Sequence, residues 1–229
     1  MKKILFLRIV ILMWALIPIK KIQDAKQRLH SVLSPSERRD LSLNMFEDVL
    51  STLKSVSELE RVMVATVCPN ASRIAGKYGV YVFSTNLDKS QSSAVSSAAS
   101  EIEANGVSGM LMLPSDIPLV TAEEIKTVLE LHASPPSMTI VPSRDEQGSN
   151  CIALSPPTAA PLKFGSNSYF PHLETARNLG LVLNNPKLPG IGLDIDKPED
   201  LAELCRQPLK TKTKEYLQKN RIGQRLKIL

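Results

Sequence analysis

The stretch Val107–Ile125, VSGMLMLPSDIPLVTAEEI, constrains the fold of this chain more than any other. Its apolar run from Val107 to Leu113 is short, as in a strand buried on both faces of a parallel sheet. Pro114 and Pro118 bracket Asp116 and end that strand. Thr121-Ala-Glu-Glu124 is a capping-box signature, which predicts a helix start. In open α/β sheets ligands bind just beyond the carboxyl ends of strands, and Asp116 falls at such a place. A carboxylate there can hold a divalent cation against phosphate oxygens. It can equally be a plain turn aspartate.

The rest of the chain repeats this alternation. A first strand is expected near Trp14–Ile19, then a polar loop IKKIQDAKQRL with Lys20, Lys21, Lys26 and Arg28. Cations just after a strand suit a triphosphate, or simply a solvated loop. Ser34-Pro-Ser-Glu37 is a second capping box with Pro at the first helical position. Leu41, Met45, Val49 and Leu53 follow at helical spacing. Arg61–Val67 reads as a strand, Ala71–Tyr78 as a helix, Val80–Phe83 as a strand and Asn86–Ala104 as a Ser/Ala-rich surface helix. Met138–Pro142 and Cys151–Leu154 are further strands around the loop Ser143–Asn150. That loop carries a guanidinium, a glycine, a hydroxyl and an amide. Lys163-Phe-Gly-Ser-Asn-Ser168 precedes a helix through Leu179, whose free amides can bind an anion, with Gly165 letting backbone approach it. His172 on that helix is able to move protons or to serve the core. Gly190–Asp196, GIGLDID, reads as a last strand-like piece. In a strand, Asp194 and Asp196 point to one side and could share a cation with Asp116. Asp196 could instead cap the helix that opens at Lys197-Pro-Glu-Asp200. This order argues for a layered βαβ domain.

Composition excludes several classes. The chain has 229 residues, 43% of them apolar and 22% charged, as in an ordinary globular domain. Cys68, Cys151 and Cys205 are far apart and form no C-x-x-C pair, so neither a zinc site nor a disulfide framework is expected. That fits a reducing, cytoplasmic setting. The net charge of +5 is localised: eight Lys/Arg and one Glu lie from Arg206 onward, leaving 20 basic against 22 acidic residues. A basic tail with Tyr216 alone among aromatics is no nucleic-acid face. Residues 1–19 open like a signal peptide, but Arg8 and Pro18 interrupt and no small-residue cleavage site appears. The run is short for a membrane span. No membrane role is expected, and translation could begin at Met13. The expected division is an extension over 1–12, a main domain over 13–206 and a basic tail over 207–229.

Six segments in order, IPIKKIQDAKQRL, LSPSERRDLSLNMFEDVL, MLPSDIPLVTAEEI, IVPSRDEQGSN, FGSNSYFPH and GIGLDIDKPEDL, resemble one known family. It is the guanylyltransferase of deazaflavin coenzyme (coenzyme F-420) biosynthesis, which acts on 2-phospho-L-lactate or phosphoenolpyruvate. The resemblance implies a three-layer, GT-A-like nucleotidyltransferase fold of the nucleotide-diphospho-sugar transferase type, with a mostly parallel central sheet. It implies transfer of GMP from GTP to the phosphate of the small acid, with release of pyrophosphate. It implies that Asp116, Asp194 and Asp196 hold Mg²⁺, and that Ser149, Gly165 and Ser168 bind the phospho-acid, joined by Asn150. Lys20, Lys26 and Arg28 would contact nucleotide phosphates. A homodimer is possible. A sugar-phosphate or molybdopterin nucleotidyltransferase is the alternative of the same fold, although the glycine-rich loop of those families is absent; a non-catalytic nucleotide-binding module is the other. Two departures stand out. Gln147-Gly148-Ser149 replaces the usual glycine pair and Thr, and Lys197 replaces a Thr, removing a helix N-cap worth on the order of 1 kcal/mol.

Overall fold

In a computed structural model that describes residues 11–20, 22, 25–84, 90–165, 167–208 and 210–226, the apolar run MWALIPI forms β1 (Met13–Ile19), buried along its whole length. Alternate side chains of a strand face opposite ways, and β1 divides its residues accordingly. Met13, Ala15, Ile17 and Ile19 enter one apolar cluster, and Trp14 and Leu16 enter another. The expected N-terminal extension lies almost wholly outside the described residues. Among those described, no helix is long and apolar enough to cross a membrane.

Helix α1 (Pro35–Lys54) starts at Ser34, whose side chain accepts from Glu37 N while Glu37 returns the bond to Ser34 N. This is the predicted capping box. β2 (Arg61–Thr66), α2 (Pro69–Lys77), β3 (Tyr81–Phe83) and α3 (Gln91–Ala104) follow. The start of the Ser/Ala-rich helix foreseen from Asn86 falls partly on residues outside those described. β4 (Gly109–Met112) leads through the Asp116 turn into α4 (Ala122–Leu131), capped by Thr121 and Glu124 as read from the sequence. β5 (Ser137–Pro142), β6 (Ser149–Ser155), α5 (Tyr169–Asn178) and β7 (Val182–Asn184) complete the sheet. Its order is β3-β2-β1-β4-β6-β5-β7. Neighbouring strands run parallel except at β6, which is antiparallel to both β4 and β5. Helices α1, α2 and α4 cover one face, and α3 and α5 the other. The fold is therefore the mostly parallel three-layer α/β sheet that was expected.

Two local features open a cleft at the carboxyl ends of β1 and β4. The chain leaves β1 for β2 on one side and returns to pair with β4 on the other, so the order reverses there, as at ligand-binding crevices of open α/β sheets. The β4 ladder ends where Leu113 N donates to Leu16 O at 3.0 Å. Pro18, two residues on, has no N–H to continue it, and it lines the cleft instead.

The last third differs from the sequence reading. Gly190–Asp196 is not a strand. Pro189–Gly192 forms a single helical turn, α6, and residues 193–196 run without ladder partners. Gly190 sits so close to Leu119 O and the Glu124 carboxylate that no side chain fits there, which favours a tight turn over a straight strand. After α7 (Pro198–Arg206), residues read as a basic tail form α8 (Lys212–Lys219) and α9 (Ile222–Arg225). Leu217 and Ile222 join Leu41 and Met45 of α1 and Leu201 and Leu204 of α7 in a third apolar cluster. β7 was not foreseen, being three residues at the sheet edge.

Candidate active site

The floor of the cleft is built from three loops distant in sequence. Lys26 stands in the left-handed region (φ 56, ψ 43) at the head of a single 3-10 turn over Gln27–Leu29. Its Nζ lies 2.5 Å from Asp116 Oδ2 and 2.6 Å from Asp196 Oδ1. The Lys26 side chain is only 8% exposed. Burial alone would lower its ammonium pKa, but the two carboxylates overrule that and raise it, so the charge is held. Asp196 shows the reciprocal effect. Burial would raise it, yet Lys26 and Arg28 bring it below the usual carboxylate value. Arg28 is 68% exposed and reaches Asp196 Oδ2 at 3.5 Å, an outer contact.

Asp194 departs from the expectation of three carboxylates on one ion. Its Oδ1 accepts from Asn150 Nδ2 at 3.0 Å, and the same amide donates to Ile191 O. Burial raises the Asp194 pKa, and the charges of Asp116 and Asp196 add to this. Even so, no three acidic, histidine or cysteine side chains among the described residues stand as a ready-made ion cage. Two aspartates converge on the Lys26 ammonium, and the third is tied to Asn150. Asn150 thus holds Asp194 through its amide nitrogen.

Backbone bonds place these groups. Ile195 N donates to Asp116 O at 3.0 Å, which draws the 193–196 segment against the β4–α4 turn. Glu124 accepts from Thr121 N with one oxygen and from Gly190 N with the other, joining the α4 cap to α6. At the head of α7 the missing Thr cap is offset from the other direction. Asp200 Oδ2 accepts from Lys197 N at 2.8 Å and Asp196 N at 3.2 Å. Asp200, not Asp196, is therefore the capping carboxylate.

Lys20 is exposed and lines the cleft with Lys26, Gln91, Ser115 and Asp116, around a volume of about 280 Å³. Gln91 and Ser115 were not singled out from the sequence; polar residues at a helix start and in the Asp116 turn were their only signals. On the other side of β4, Ser149 opens β6, Ser168 stands before the first residue of α5, and Gly165 lies in the loop between. The Ser149 and Ser168 hydroxyls are 3.3 Å apart. Gly165 has φ 154 and open space where a side chain would be, so ligand can meet bare backbone there. Ser168 makes no side-chain cap, but Tyr169 N donates to Gln147 O and His172 N to Ser168 O, and Pro171 has no N–H, so the anion-binding set of amides expected at this helix start reduces to that of Phe170. The structure thus brings Asp116, Asp196, Lys26 and Arg28 together, with Lys20 at the edge, and groups Ser149 with Ser168 beside Asn150. The cluster holds cations and hydroxyls but, among the described residues, no Ser-His-Asp relay. His172 Nδ1 is 2.9 Å from Ser149 Oγ and its Nε2 accepts from a backbone N–H, with no carboxylate behind it.

A family model described as "Guanylyl transferase CofC like" matches residues 13–227. A phosphoenolpyruvate guanylyltransferase of Rubrobacter xylanophilus is 32% identical over 83% of this chain and 92% of its own length. A 3-phospho-D-glycerate guanylyltransferase of Colwellia psychrerythraea is 34% identical over 82% and 89%. A 2-phospho-L-lactate guanylyltransferase of Methanothermobacter thermautotrophicus is 31% identical over 90% of each. Among solved structures, a putative nucleotide-diphospho-sugar transferase from Desulfovibrio desulfuricans G20 superposes with a TM-score of 0.74 over 93% of this chain and 97% of that one. Its sequence identity is 19%, so the likeness speaks for the fold.

Proposed function

Because the chain belongs to the CofC-like guanylyltransferases, we propose that it transfers GMP from GTP to the phosphate of a small phosphorylated three-carbon acid, as a step toward coenzyme F-420. The observation that carries this reading is the Lys26–Asp116–Asp196 cluster at the switch point of the sheet, beside the Ser149/Ser168 hydroxyl pair. The chemistry is one displacement. A phosphate oxygen of the acid attacks the α-phosphorus of GTP, the new P–O–P bond forms, the α–β anhydride bond breaks, and pyrophosphate leaves. The attacker is already an anion, so no base is needed, and catalysis rests on positioning and charge neutralisation.

Each residue has a part. Lys20, Lys26 and Arg28 neutralise triphosphate oxygens. Ser149 and Ser168 receive the acid, with Gly165 leaving room for it. Asn150 orients Asp194. The oxygen donors also fit Mg²⁺, a hard cation bound through carboxylates and phosphates. Asp116 and Asp196 already share one cation, the Lys26 ammonium, and Asp194 lies beside them. Such an ion would polarise the α-phosphate.

The relatives named above differ in acceptor, so the acid is the variable. The experiment gives the purified full chain GTP, Mg²⁺ and, in turn, phosphoenolpyruvate, 2-phospho-L-lactate and 3-phospho-D-glycerate. Pyrophosphate is measured and the product weighed by mass spectrometry. The expected result is GTP consumption only with acid, with one acid preferred. Asp116→Asn should lower that rate about 100- to 1000-fold. An unchanged rate would remove Asp116 from the site, and GTP turnover indifferent to any acid would sink the transfer reading.

A further inference from the structure

His172 is almost wholly buried, as are Ser149 and Ser168, and the hydrogen bonds among them have a fixed direction. Lys163 N lies 3.0 Å from His172 Nε2. A backbone amide can only donate, so Nε2 is the acceptor and a neutral ring carries its hydrogen on Nδ1. Burial lowers the His172 pKa to about 4, which keeps the ring neutral near pH 7. Nδ1–H therefore donates to Ser149 Oγ at 2.9 Å. Ser168 Oγ donates to the same oxygen at 3.3 Å. Ser149 Oγ has two lone pairs and one hydrogen. With both lone pairs engaged, that hydrogen is left to point away from His172 and Ser168. Among the described residues nothing accepts it. Phe164 packs edge-on to the imidazole with centroids 5.4 Å apart, which restrains the ring.

We propose that His172 is a positioning residue that makes Ser149 a one-way hydrogen-bond donor, aimed at an anionic oxygen of the acceptor acid. This rests on the reading of Ser149 as an acceptor-binding residue given above. A serine free to rotate would serve a ligand hydroxyl, amide or carboxylate alike. A serine whose lone pairs are occupied can serve only an acceptor atom, so the site selects carboxylate or phosphate oxygen over a neutral donor group.

The test is steady-state kinetics of the full chain with GTP and whichever acid supports turnover, on S149A, H172A, H172N and the S149A/H172A pair. Asn at 172 can place its amide N–H where Nδ1–H stands, so H172N is the conservative variant, and it covers the case in which H172A fails to fold. The expected result is a rise of about 10- to 100-fold in KM for the acid in S149A and H172A. KM for GTP should hold, H172N should recover most of the loss, and the double variant should be no worse than S149A. If S149A raises the acid KM while folded H172A does not, if H172N is as impaired as S149A, or if the two losses multiply, this inference is overturned and the acceptor site stands. If S149A leaves the acid KM unmoved, the acceptor reading of Ser149 falls, and this inference falls with it.

Discussion

Burying an imidazole with no carboxylate beside it has a definite consequence for pH dependence at His132 and His172. His132 faces the hydroxyls of Thr139, Ser155 and Ser137, and burial lowers its pKa to about 4, as it does for His172. The unfolded chain takes up each proton below pH 6.5, whereas the folded chain refuses it until about 4. Each histidine thus contributes stability that is fully present above pH 6.5 and lost as pH falls through that window. The slope approaches ~1.4 kcal/mol per pH unit for each. Asp48, Glu124 and Asp194 work the other way, because burial raises their pKa and the folded state binds their protons first. Urea unfolding between pH 7 and 5 is expected to show falling stability, and H132N should remove about half of the slope. An equal slope in a variant lacking both histidines would assign the effect elsewhere. These roles were only partly legible in the sequence. Asp116 could be read because its strand, turn and cap are local. The tautomer of His172 and the hold of Asn150 on Asp194 depend on partners 9 to 44 residues away, and no short motif encodes them.

Among the helices, the two capping boxes are legible because two residues three positions apart decide each, while the packing of α8 and α9 is not visible at all. Their apolar residues are sparse within a basic stretch, and their anchor is on α1, 164 residues back. Asp48 is buried there, with Oδ1 accepting from Lys212 N at 2.8 Å and Oδ2 from Thr213 N at 2.9 Å and Thr213 Oγ1 at 2.5 Å. This satisfies the first amides of α8 with a carboxylate, the favoured charge at a helix N-terminus. The tail's cations are also used: Lys212 pairs with Glu47 and Arg225 with Glu37. Asp48→Ala is expected to cost about 2–3 kcal/mol, since it strands two buried Thr213 donors and the partly buried Lys212 amide. Lys212→Ala should cost under ~1 kcal/mol, because its pair is half exposed. Chemical denaturation of both variants checks the ranking, and equal losses would show that α8 docks by apolar contact alone.

Across the whole molecule, one side chain ties together segments that the sheet holds apart. Lys26, Asp116 and Asp196 are separated by 90 and 170 residues. They meet only when β1, β4 and the turn after α6 are all in place, so the ammonium between the two carboxylates reports on the complete fold. With the Mg²⁺ proposed above, the same arrangement would set up a competition. A divalent cation shared by Asp116 and Asp196 needs the space Lys26 Nζ holds, and Lys26 must then swing toward the triphosphate. Lys26→Met removes the internal cation and leaves two carboxylates facing each other. Both are partly exposed, so the loss falls below the 3–5 kcal/mol of a fully buried broken pair, at about 2 kcal/mol. For a chain of this size that is a fall of ~4–8 °C in Tm in buffer treated with chelator. Millimolar Mg²⁺ should restore more than half of the fall in the variant. It should shift the native chain by less, because there the cation must first displace an ammonium. Thermal unfolding with and without the metal measures both shifts. If magnesium moved the two proteins by the same amount, or neither, Lys26 and the metal would not be competing for one place, and the carboxylates would be partners of the lysine alone.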